Sequence, residues 1–417
     1  MNSAAARPPL RPLDEALAEL LGHARALGEF ESVATFEADG RVLAQDLRSE
    51  LQVPAHDNSS MDGYAVRSAE VGQAAAEGRA LPVSQRIPAG TAALPLAPGT
   101  VARIFTGAPV PEGADAIVMQ EDTETSGEQQ VRFRRTPAAG QWIRRSGEDV
   151  RRGATVLHAG ERLGPAALGL AASIGMDRLE VARRPRVALF STGDELVMPG
   201  AVPPSAMPPG AIYNSNRFFL RALLLRLGCT VTDFGIVPDR RDATVEALRS
   251  AADGHDLILT SGGVSVGEED HLRPAVQQLG SIALWQIAMK PGKPFAYGSI
   301  GSAPARCHVI GLPGNPVSSF VTFVLLVRPV LLALQGARGE PARTMLPAHF
   351  DWPRPDRRRE FLRVRRDGEG GLALFPNQSS GVLTSAVWAD GLVDVPAGQT
   401  IQRGQLVPFL SFAELLA

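Results

Sequence analysis

Lysine is almost absent from this chain of 417 residues, although basic residues are common. Of the 42 Lys and Arg residues, only Lys290 and Lys293 are Lys, and they lie three positions apart in Met-Lys-Pro-Gly-Lys-Pro. A compact ammonium meets an oxyanion as a point charge, which a planar guanidinium does not. The pair is therefore a candidate oxyanion site, and chance retention where a strand meets a loop is the alternative.

Other scarcities exclude whole classes of protein. Two cysteines cannot form a disulfide scaffold or a four-thiolate metal site. The net charge of −2 argues against binding nucleic acid or an anionic membrane through bulk charge. Apolar runs fall short of the roughly 18 residues of a spanning helix, since Arg328 and Pro329 interrupt the best candidate, 321–334. The N-terminus lacks a secretory signal pattern. We therefore expect a cytoplasmic protein.

Three sequence patterns follow one another along the chain. Leucines at helical spacing predict an amphipathic helix over about 12–28, and a Pro- and Gly-rich β-unit follows over about 50–150. A helix over about 161–175 precedes a region, about 185–337, in which strands and helices alternate. This alternation predicts a mostly parallel sheet with helices on both faces. From about 338, short strands separated by turns predict a small β-domain.

Within the α/β region some elements are predicted more specifically. Residues 282–289 are predicted to form one strand, and residues 316–335 one long helix. The helix over 217–227 is apolar on nearly all sides, so we expect it to be buried.

Polar and glycine residues directly follow several predicted strands. Because ligands bind beyond the carboxyl ends of strands in such sheets, these residues mark the expected site. They are Glu195 after 187–190, Asp239 after 231–237, the loop 261–270 after 257–260, Lys290 and Lys293 after 282–289, and Pro313, Gly314 and Asn315 after 308–312.

Two of these loops have the chemistry of anion sites. The loop 261–270 contains Ser261, Gly262, Gly263, Ser265 and Gly267. Its unobstructed backbone N–H groups can cradle a phosphate, and a tight strand-to-helix turn is the alternative. Asn315-Pro316 is favourable chemistry for starting a helix, so capping alone is the alternative there. The N-terminus of that helix would still face the same ligand.

Three carboxylates are expected at this edge of the sheet. Glu195, Asp239 and Asp270 follow three different strands and could share a Mg²⁺, which favours one or two carboxylates, water and substrate phosphate. Each acid alone could instead cap a helix. Together, the carboxylates, the glycine loop and the lysines indicate a phosphorylated substrate, a divalent metal and a second oxyanion.

Three further segments concentrate polar residues outside the α/β region. They are 54–66 with Asp62, 103–111 with Thr106, and 376–381 with Ser380. A local turn is the alternative interpretation of the first and the last.

Six motifs stand in an order that is characteristic of one family. By these motifs, and over essentially its whole length, the chain resembles the molybdenum insertases, or molybdopterin molybdenumtransferases, of the MoeA and gephyrin E-domain family. The motifs are Asp57-Asn-Ser-Ser-Met-Asp-Gly-Tyr-Ala-Val, Thr106-Gly-Ala-Pro-Val-Pro-Glu-Gly-Ala-Asp, Ser191-Thr-Gly-Asp-Glu, Ser261-Gly-Gly-Val-Ser-Val-Gly, Lys290-Pro-Gly-Lys-Pro and Gly311-Leu-Pro-Gly-Asn-Pro-Val-Ser.

The resemblance implies an activity and its partners. Such enzymes take adenylylated molybdopterin and molybdate, release AMP with Mg²⁺, and leave molybdenum on the dithiolene. The family forms a homodimer whose active sites lie between the α/β domain of one subunit and the inserted β domain of the other. Molybdopterin adenylyltransferase and the acceptor molybdoenzymes are the expected protein partners, and neither nucleic acid nor membrane is expected.

The resemblance also implies roles for particular residues. Glu195, Asp239 and Asp270 match acidic positions around the metal and the nucleotide phosphate. Lys290, Lys293, Arg363 and Ser380 match positions linked to molybdate and the pterin phosphate, and Asp62 and Thr106 match the contribution of the partner subunit. The implied substrate-binding residues are Ser261, Gly262, Gly263, Ser265, Gly267, Pro313, Gly314, Asn315, Arg363 and Ser380.

The implied fold is multidomain, α/β and β. It combines a doubly wound α/β domain of molybdopterin-binding type with an inserted β-rich domain, an elongated linking domain and a small C-terminal β-barrel. The expected boundaries are 1–50 with 145–184 for the linking and dimerisation domain, 51–144 for the insert, 185–337 for the α/β domain and 338–417 for the barrel.

One departure and two alternatives remain. Gln286 stands where some relatives carry a basic residue, so any role of that basic residue is in doubt here. An adenylyltransferase acting one step earlier is an alternative, but it would not need about 180 residues before the α/β region. A scaffold that keeps the fold without turnover is the other alternative.

Overall fold

The structure, a computed structural model, describes residues 10–127, 129–264, 271–301, 306–339 and 341–416. The predicted site residues Ser265, Gly267 and Asp270 lie outside the described residues. Up to residue 182 the elements are α1 (Leu13–His23), β1 (Phe30–Ala34), β2 (Leu47–Arg48), β3 (Asn58–Ser59), β4 (Gly63–Val66), α2 (Ser68–Ala76), β5 (Leu81–Ile87), β6 (Val101–Ile104), β7 (Ala116–Met119), β8 (Thr123–Thr125), β9 (Gln130–Phe133), β10 (Ile143–Arg144), β11 (Thr155–Leu157), α3 (Pro165–Ser173) and β12 (Arg178–Ala182).

Helix α1 is shorter than the predicted helix over 12–28. It ends at His23, because Ala24 has extended backbone angles. Leu27 N then donates to Leu334 O, and Gly28 has a φ of 70°. The leucine spacing continues past the helix end, but Leu27 packs against the core from an irregular connection.

Strand pairing joins segments that are distant in sequence. Strand β1 pairs with β12 and β2 pairs with β11, both antiparallel, over a core that includes Leu43, Leu163 and Val181. Between these partners lies a six-stranded sheet of order β7-β4-β6-β5-β9-β8. The short antiparallel pair of β3 and β10 joins the segment that enters this sheet to the segment that leaves it.

The α/β region begins at residue 186. Its elements are β13 (Arg186–Thr192), β14 (Leu196–Val197), β15 (Ile212–Tyr213), α4 (Asn216–Arg226), β16 (Thr230–Val237), α5 (Arg241–Ala252), β17 (Leu257–Ser261), α6 (Leu272–Leu279), β18 (Gly280–Gln286), β19 (Met289–Lys290), β20 (Pro294–Ile300), β21 (Cys307–Leu312), α7 (Pro316–Thr322) and α8 (Arg328–Leu334).

The mostly parallel sheet is confirmed. Its order is β16-β13-β17-β21-β20-β18, and the first four strands are parallel. Strand β20 is antiparallel to both β21 and β18, so β18 again points the same way as β21. Alternate residues of the central strands face opposite helix layers: Leu189 and Leu259 pack towards α4 and α7, while Ala188 and Ile258 pack towards α5 and α6.

Three predictions for this region need correction. The predicted strand 282–289 divides after Gln286, and Met289–Lys290 pairs with the C-terminal domain instead. Helix α4 is not buried all round: Leu220 and Leu224 are buried, but Phe218 is 53% and Leu225 44% exposed. The high apolar content of the segment led to the wrong prediction, because some of its apolar side chains face solvent.

The helix predicted over 316–335 contains a π-helical turn, Phe323–Val327, between α7 and α8. By length and composition Pro316–Leu334 could cross a membrane, but 78% of its most apolar window is buried inside the protein. Residues such as Val321, Leu326 and Leu331 belong to the main core. The helix is therefore a core helix of the α/β region.

The C-terminal elements are β22 (Thr344–Pro347), β23 (Arg359–Arg366), β24 (Leu372–Leu374), α9 (Leu383–Trp388), β25 (Gly391–Val395), β26 (Leu406–Ser411) and α10 (Phe412–Leu415). The sheet runs β19-β23-β25-β26-β22, and β24 pairs with β23. A bridge between Ala348 and Leu372 joins its two sides, which closes the predicted small barrel.

Gly311 provides a test of the packing of the central sheet. A Cβ there would overlap Val264 and lie 2.8 Å from Leu272 Cδ2. We expect Gly311→Ala to lower the free energy of unfolding by about 1–3 kcal/mol, as overpacked cores do. The control is Gly22→Ala in α1, where no atom lies within 4 Å and the change should stabilise by about 0.5–1 kcal/mol. Thermal unfolding of both variants measures this, and equal melting temperatures would contradict it.

Candidate functional site

A cleft of about 680 Å³ opens at the carboxyl ends of β13, β17 and β21. It gathers predicted site residues from four separate stretches of the chain. Those that line it are Glu195, Asp239, Ser261, Gly262, Gly263, Pro313, Gly314 and Asn315.

The two described glycines of the loop after β17 have a structural reason to be glycine. Gly262 and Gly263 have φ values of 94° and 64°. A Cβ would lie 2.5 Å from Thr192 O at Gly262, and 2.7 Å from Thr192 Oγ1 at Gly263. The loop is thus a tight turn that packs against the end of β13. The same two glycines also line the cleft. A tight turn and a phosphate-binding loop are therefore compatible interpretations of this segment.

Gly314, unlike Gly262 and Gly263, has no structural reason to be glycine. It has no left-handed φ, and a Cβ there would meet no atom within 4 Å. The fold therefore does not require glycine at this position. The absence of a side chain leaves the backbone of the cleft wall accessible.

Asn216, which the sequence did not single out, holds the two loops together. Its Nδ2 donates to Ser261 Oγ at 2.8 Å and to Gly314 O at 2.7 Å. The side chain is only 8% exposed. It lies at the first position of α4. Its two acceptors are 45 and 98 positions away in the sequence, so no local pattern indicates this role.

The structure does not support capping as the role of the polar residues. Glu195 is exposed and precedes a strand, and Asp239 lies two residues before α5, whose N-cap residue is Arg240. Asn315 does occupy the N-cap position of α7, but its side chain makes no capping hydrogen bond. Helix capping therefore does not explain the positions of these three side chains in the cleft lining.

Among the described residues, no three His, Cys, Asp or Glu side chains converge as a metal cage. Glu195 and Asp239 nevertheless line one cleft. Two carboxylates in the lining of such a cleft are a donor set that fits Mg²⁺, which keeps water and substrate oxygens as its other ligands.

The two lysines have different surroundings. Lys290 Nζ lies 2.8 Å from Glu360 Oε1 and 3.5 Å from Asp356 Oδ2, and Glu360 is only 2% exposed. Lys293 is half-buried and has no ion-pair partner among the described residues. Neither lysine lines the cleft itself, although Pro294, next to Lys293, does.

Arg363 is a buried cation without a described carboxylate partner. It is 1% exposed, and its guanidinium donates to Ser385 Oγ, Phe361 O and Ser379 O, each at 3.2 Å. Burial lowers the pKa of Arg363 to about 10. A buried charge held only by neutral acceptors suits an anionic ligand, since such a charge is otherwise costly.

Ser380 connects the barrel to the cleft through its backbone. Ser380 O accepts from Val317 N at 2.9 Å, at the start of α7. The next residue, Gly381, lines the cleft. Gln378 holds the same loop on β23 by accepting from Arg363 N at 2.9 Å, a contact that the sequence did not reveal.

Asp62 and Thr106 form a pair in the inserted sheet. Thr106 N and Oγ1 donate to Asp62 Oδ1 at 2.8 and 2.7 Å. These bonds hold the pKa of Asp62 below its usual value, so the carboxylate is charged at neutral pH. Neither residue lines the cleft of its own chain.

Three family descriptions match successive parts of the chain. The MoeA N-terminal region (domain I and II) matches residues 11–175, the probable molybdopterin binding domain matches 188–333, and the MoeA C-terminal region (domain IV) matches 345–412. The adenylyltransferase alternative is not supported, because the matches extend over both sides of the α/β region.

Individual relatives agree. The molybdopterin molybdenumtransferase of Haemophilus influenzae is 40% identical over 81% of this chain and 80% of its own. Molybdopterin molybdenumtransferase 2 of Mycobacterium tuberculosis is 39% identical over 88% and 90%. A crystal structure of the molybdopterin biosynthesis moeA protein from Pyrococcus horikoshii superposes with a TM-score of 0.83 at 28% identity, covering 97% of this chain and 100% of that chain.

Fold and cleft together define an enzyme that acts on molybdopterin. The chain belongs to the MoeA family of molybdopterin molybdenumtransferases. Its activity is a step of molybdenum cofactor biosynthesis.

Asn216→Ala tests whether one amide fixes the cleft walls. It leaves Ser261 Oγ and Gly314 O without their donor, and a lost buried partner costs about 1–3 kcal/mol. We expect faster amide hydrogen exchange in 261–264 and 312–315 and unchanged exchange in the barrel. Asn377→Ala, which removes an exposed acceptor of Ser379 N, is the control. Unchanged exchange in both loops would refute the role of Asn216.

Proposed function

We propose that this chain inserts molybdenum from molybdate into adenylylated molybdopterin, with Mg²⁺-dependent release of AMP. The observation that carries the proposal is the cleft itself. It brings the carboxylates of Glu195 and Asp239 to the same space as the backbone of Gly262–Gly263 and of Gly314. A phosphoanhydride needs both, because backbone N–H groups bind its oxygens and a cation must stand between it and the acids.

Glu195 and Asp239, with Asp270 by analogy to the family, would hold the Mg²⁺. Bound there, the ion would supply charge neutralisation at the phosphoanhydride that is cleaved. Asp194 contributes by positioning: its Oδ1 accepts from Asp239 N at 3.1 Å, which fixes the backbone that carries the second carboxylate. The exposed Glu195 side chain needs no such support, and it lies directly over Gly193.

The cations beside the cleft would receive molybdate and the terminal phosphate of the pterin. Lys293 is half-buried and has no carboxylate partner among the described residues, and the described acceptors of Arg363 are all neutral. Lys290 is already neutralised by Glu360. We infer that Lys293 and Arg363 bind the oxyanions directly. The ion pair of Lys290 with Glu360 would instead fix the position of the loop that carries Lys293.

The inserted sheet would complete the site of the partner subunit in a homodimer. Thr106 is exposed and Asp62 is half-buried, the two are pre-organised by the hydrogen bonds that Thr106 donates to Asp62, and neither lines the cleft of its own chain. The reaction would take place in the cytoplasm, between the adenylyltransferase that makes the substrate and the molybdoenzymes that accept the product.

Magnesium titration tests the roles of the carboxylates. We expect Glu195→Gln and Asp239→Asn each to raise the Mg²⁺ concentration for half-maximal AMP release about tenfold, corresponding to roughly 1.4 kcal/mol of lost binding. Asp253→Asn, an exposed acid after α5 at the opposite edge of the sheet, is the control and should match the unmodified protein. Identical Mg²⁺ dependence in all four proteins would exclude the assignment.

Mixing inactive variants tests the shared site. The mixing is done at a Mg²⁺ concentration too low for Glu195→Gln or Asp239→Asn to release AMP. Asp62→Ala and Glu195→Gln chains, each inactive alone under this condition, should regain about one quarter of full activity when mixed, because half the dimers contain one intact site. Glu195→Gln mixed with Asp239→Asn is the control, since both changes damage the same cleft and no activity should return. If the first mixture also stays inactive although its subunits exchange, Asp62 does not serve the partner's site.

A further inference from the structure

Trp142 has an unusual backbone for its residue type. Its φ is 57°, and among the described residues it is the one non-glycine residue with a positive φ. The left-handed conformation is strained for a bulky side chain, whereas Asn and Gly adopt it readily. Strain of this kind persists where the surrounding structure imposes it, and it clusters at ligand sites.

Its indole is also unusually accessible. The side chain is 39% exposed. The structure gives the indole N–H no acceptor and the ring no aromatic or cationic neighbour within the described residues. Hydrogen bonds and ring contacts with the described residues therefore do not account for a large aromatic residue at this strained position.

Strand register places Trp142 beside the segment that carries Asp62. In the pair of β3 and β10, Ser59 lies opposite Ile143, so the next pair outward is Ser60 and Trp142. Ser60 N and Ser60 Oγ both donate to Trp142 O, at 2.9 and 2.8 Å. Ser60 precedes Asp62 by two residues, which is within the reach of an aromatic side chain across neighbouring strands.

Burial along these two segments shows that Trp142 lies at the surface of the inserted sheet. Ser59 is fully buried and Ile143 packs on the core of the inserted sheet. Trp142 itself lies in the turn just before β10 and is 39% exposed, and Ser60 opposite it is half-buried, so this pair lies at the surface and not in that core. Thr106 is exposed and Asp62 is half-buried, so the Asp62–Thr106 pair also reaches the surface.

We propose that Trp142 is a substrate-binding residue that stacks on a flat heteroaromatic ring of the substrate, at the site to which Asp62 and Thr106 contribute. The proposal rests on the proposed function, because adenylylated molybdopterin supplies two such rings, the pterin and the adenine. Stacking on an aromatic side chain depends on the π-face of the ligand ring, so it requires no hydrogen bond to the edge of that ring.

Kinetics of Trp142→Asn test the proposal. Asn relieves the backbone strain and removes the ring, so the melting temperature should stay the same or rise. The KM for adenylylated molybdopterin should rise tenfold or more, within the range that base stacking gives. Trp142→Phe keeps a ring and should stay close to the unmodified KM. Leu94→Asn is the matched control, since Leu94 is 70% exposed and its backbone bonds to the side chain of Gln85 on β5.

Two binding measurements identify the ring. If adenine stacks on Trp142, AMP alone should bind more weakly to Trp142→Asn and should quench tryptophan emission only when Trp142 is present. If the pterin stacks there, AMP binding should not change and only the full substrate should show both effects. A KM within twofold of the unmodified protein, with no change in quenching by either ligand, overturns the proposal. Absence of AMP release from the unmodified protein would instead contradict the proposed function.

Discussion

Five of the six strands in the central sheet run in the same direction, and the ligand cleft depends on this constraint. The loops after β13, β16, β17 and β21 all emerge at one edge as a result. Strand β18 joins them through two antiparallel steps, which brings the lysine loop to the same edge. Asn216 then fixes the spacing of the loops after β17 and β21 with a single buried amide.

Charge is distributed unevenly around this edge. The acids Glu195 and Asp239 remain in the cleft, whereas Lys290 is paired with Glu360 and Arg363 is buried among neutral oxygens. One side of the site is thus suited to a hydrated divalent cation and the other to oxyanions. The barrel contributes to both the burial of Arg363 and the cleft lining, so it is part of the site and not an appendage.

Local patterns predicted most of this arrangement. Hydrophobic runs located β13, β17 and β21, and the residues directly after them proved to line the cleft, because strand direction alone places them there. Contacts between distant segments were not predictable: Asn216, Glu360 and Gln378 act through partners up to 98 positions away. Single-residue composition also misjudged α4, since the buried side of a helix depends on what packs against it.

The most direct test of the account is AMP release by the purified protein from adenylylated molybdopterin and Mg²⁺, measured with and without molybdate. The proposed metal and phosphoanhydride positions lie in the cleft and the proposed oxyanion-binding cations lie outside its lining, so the account predicts that rapid AMP release requires molybdate. Equal release without molybdate would reduce the protein to a hydrolase of the adenylylated pterin. Tight binding of the substrate with no release under either condition would contradict the account, and Gln286 would be the first position to examine.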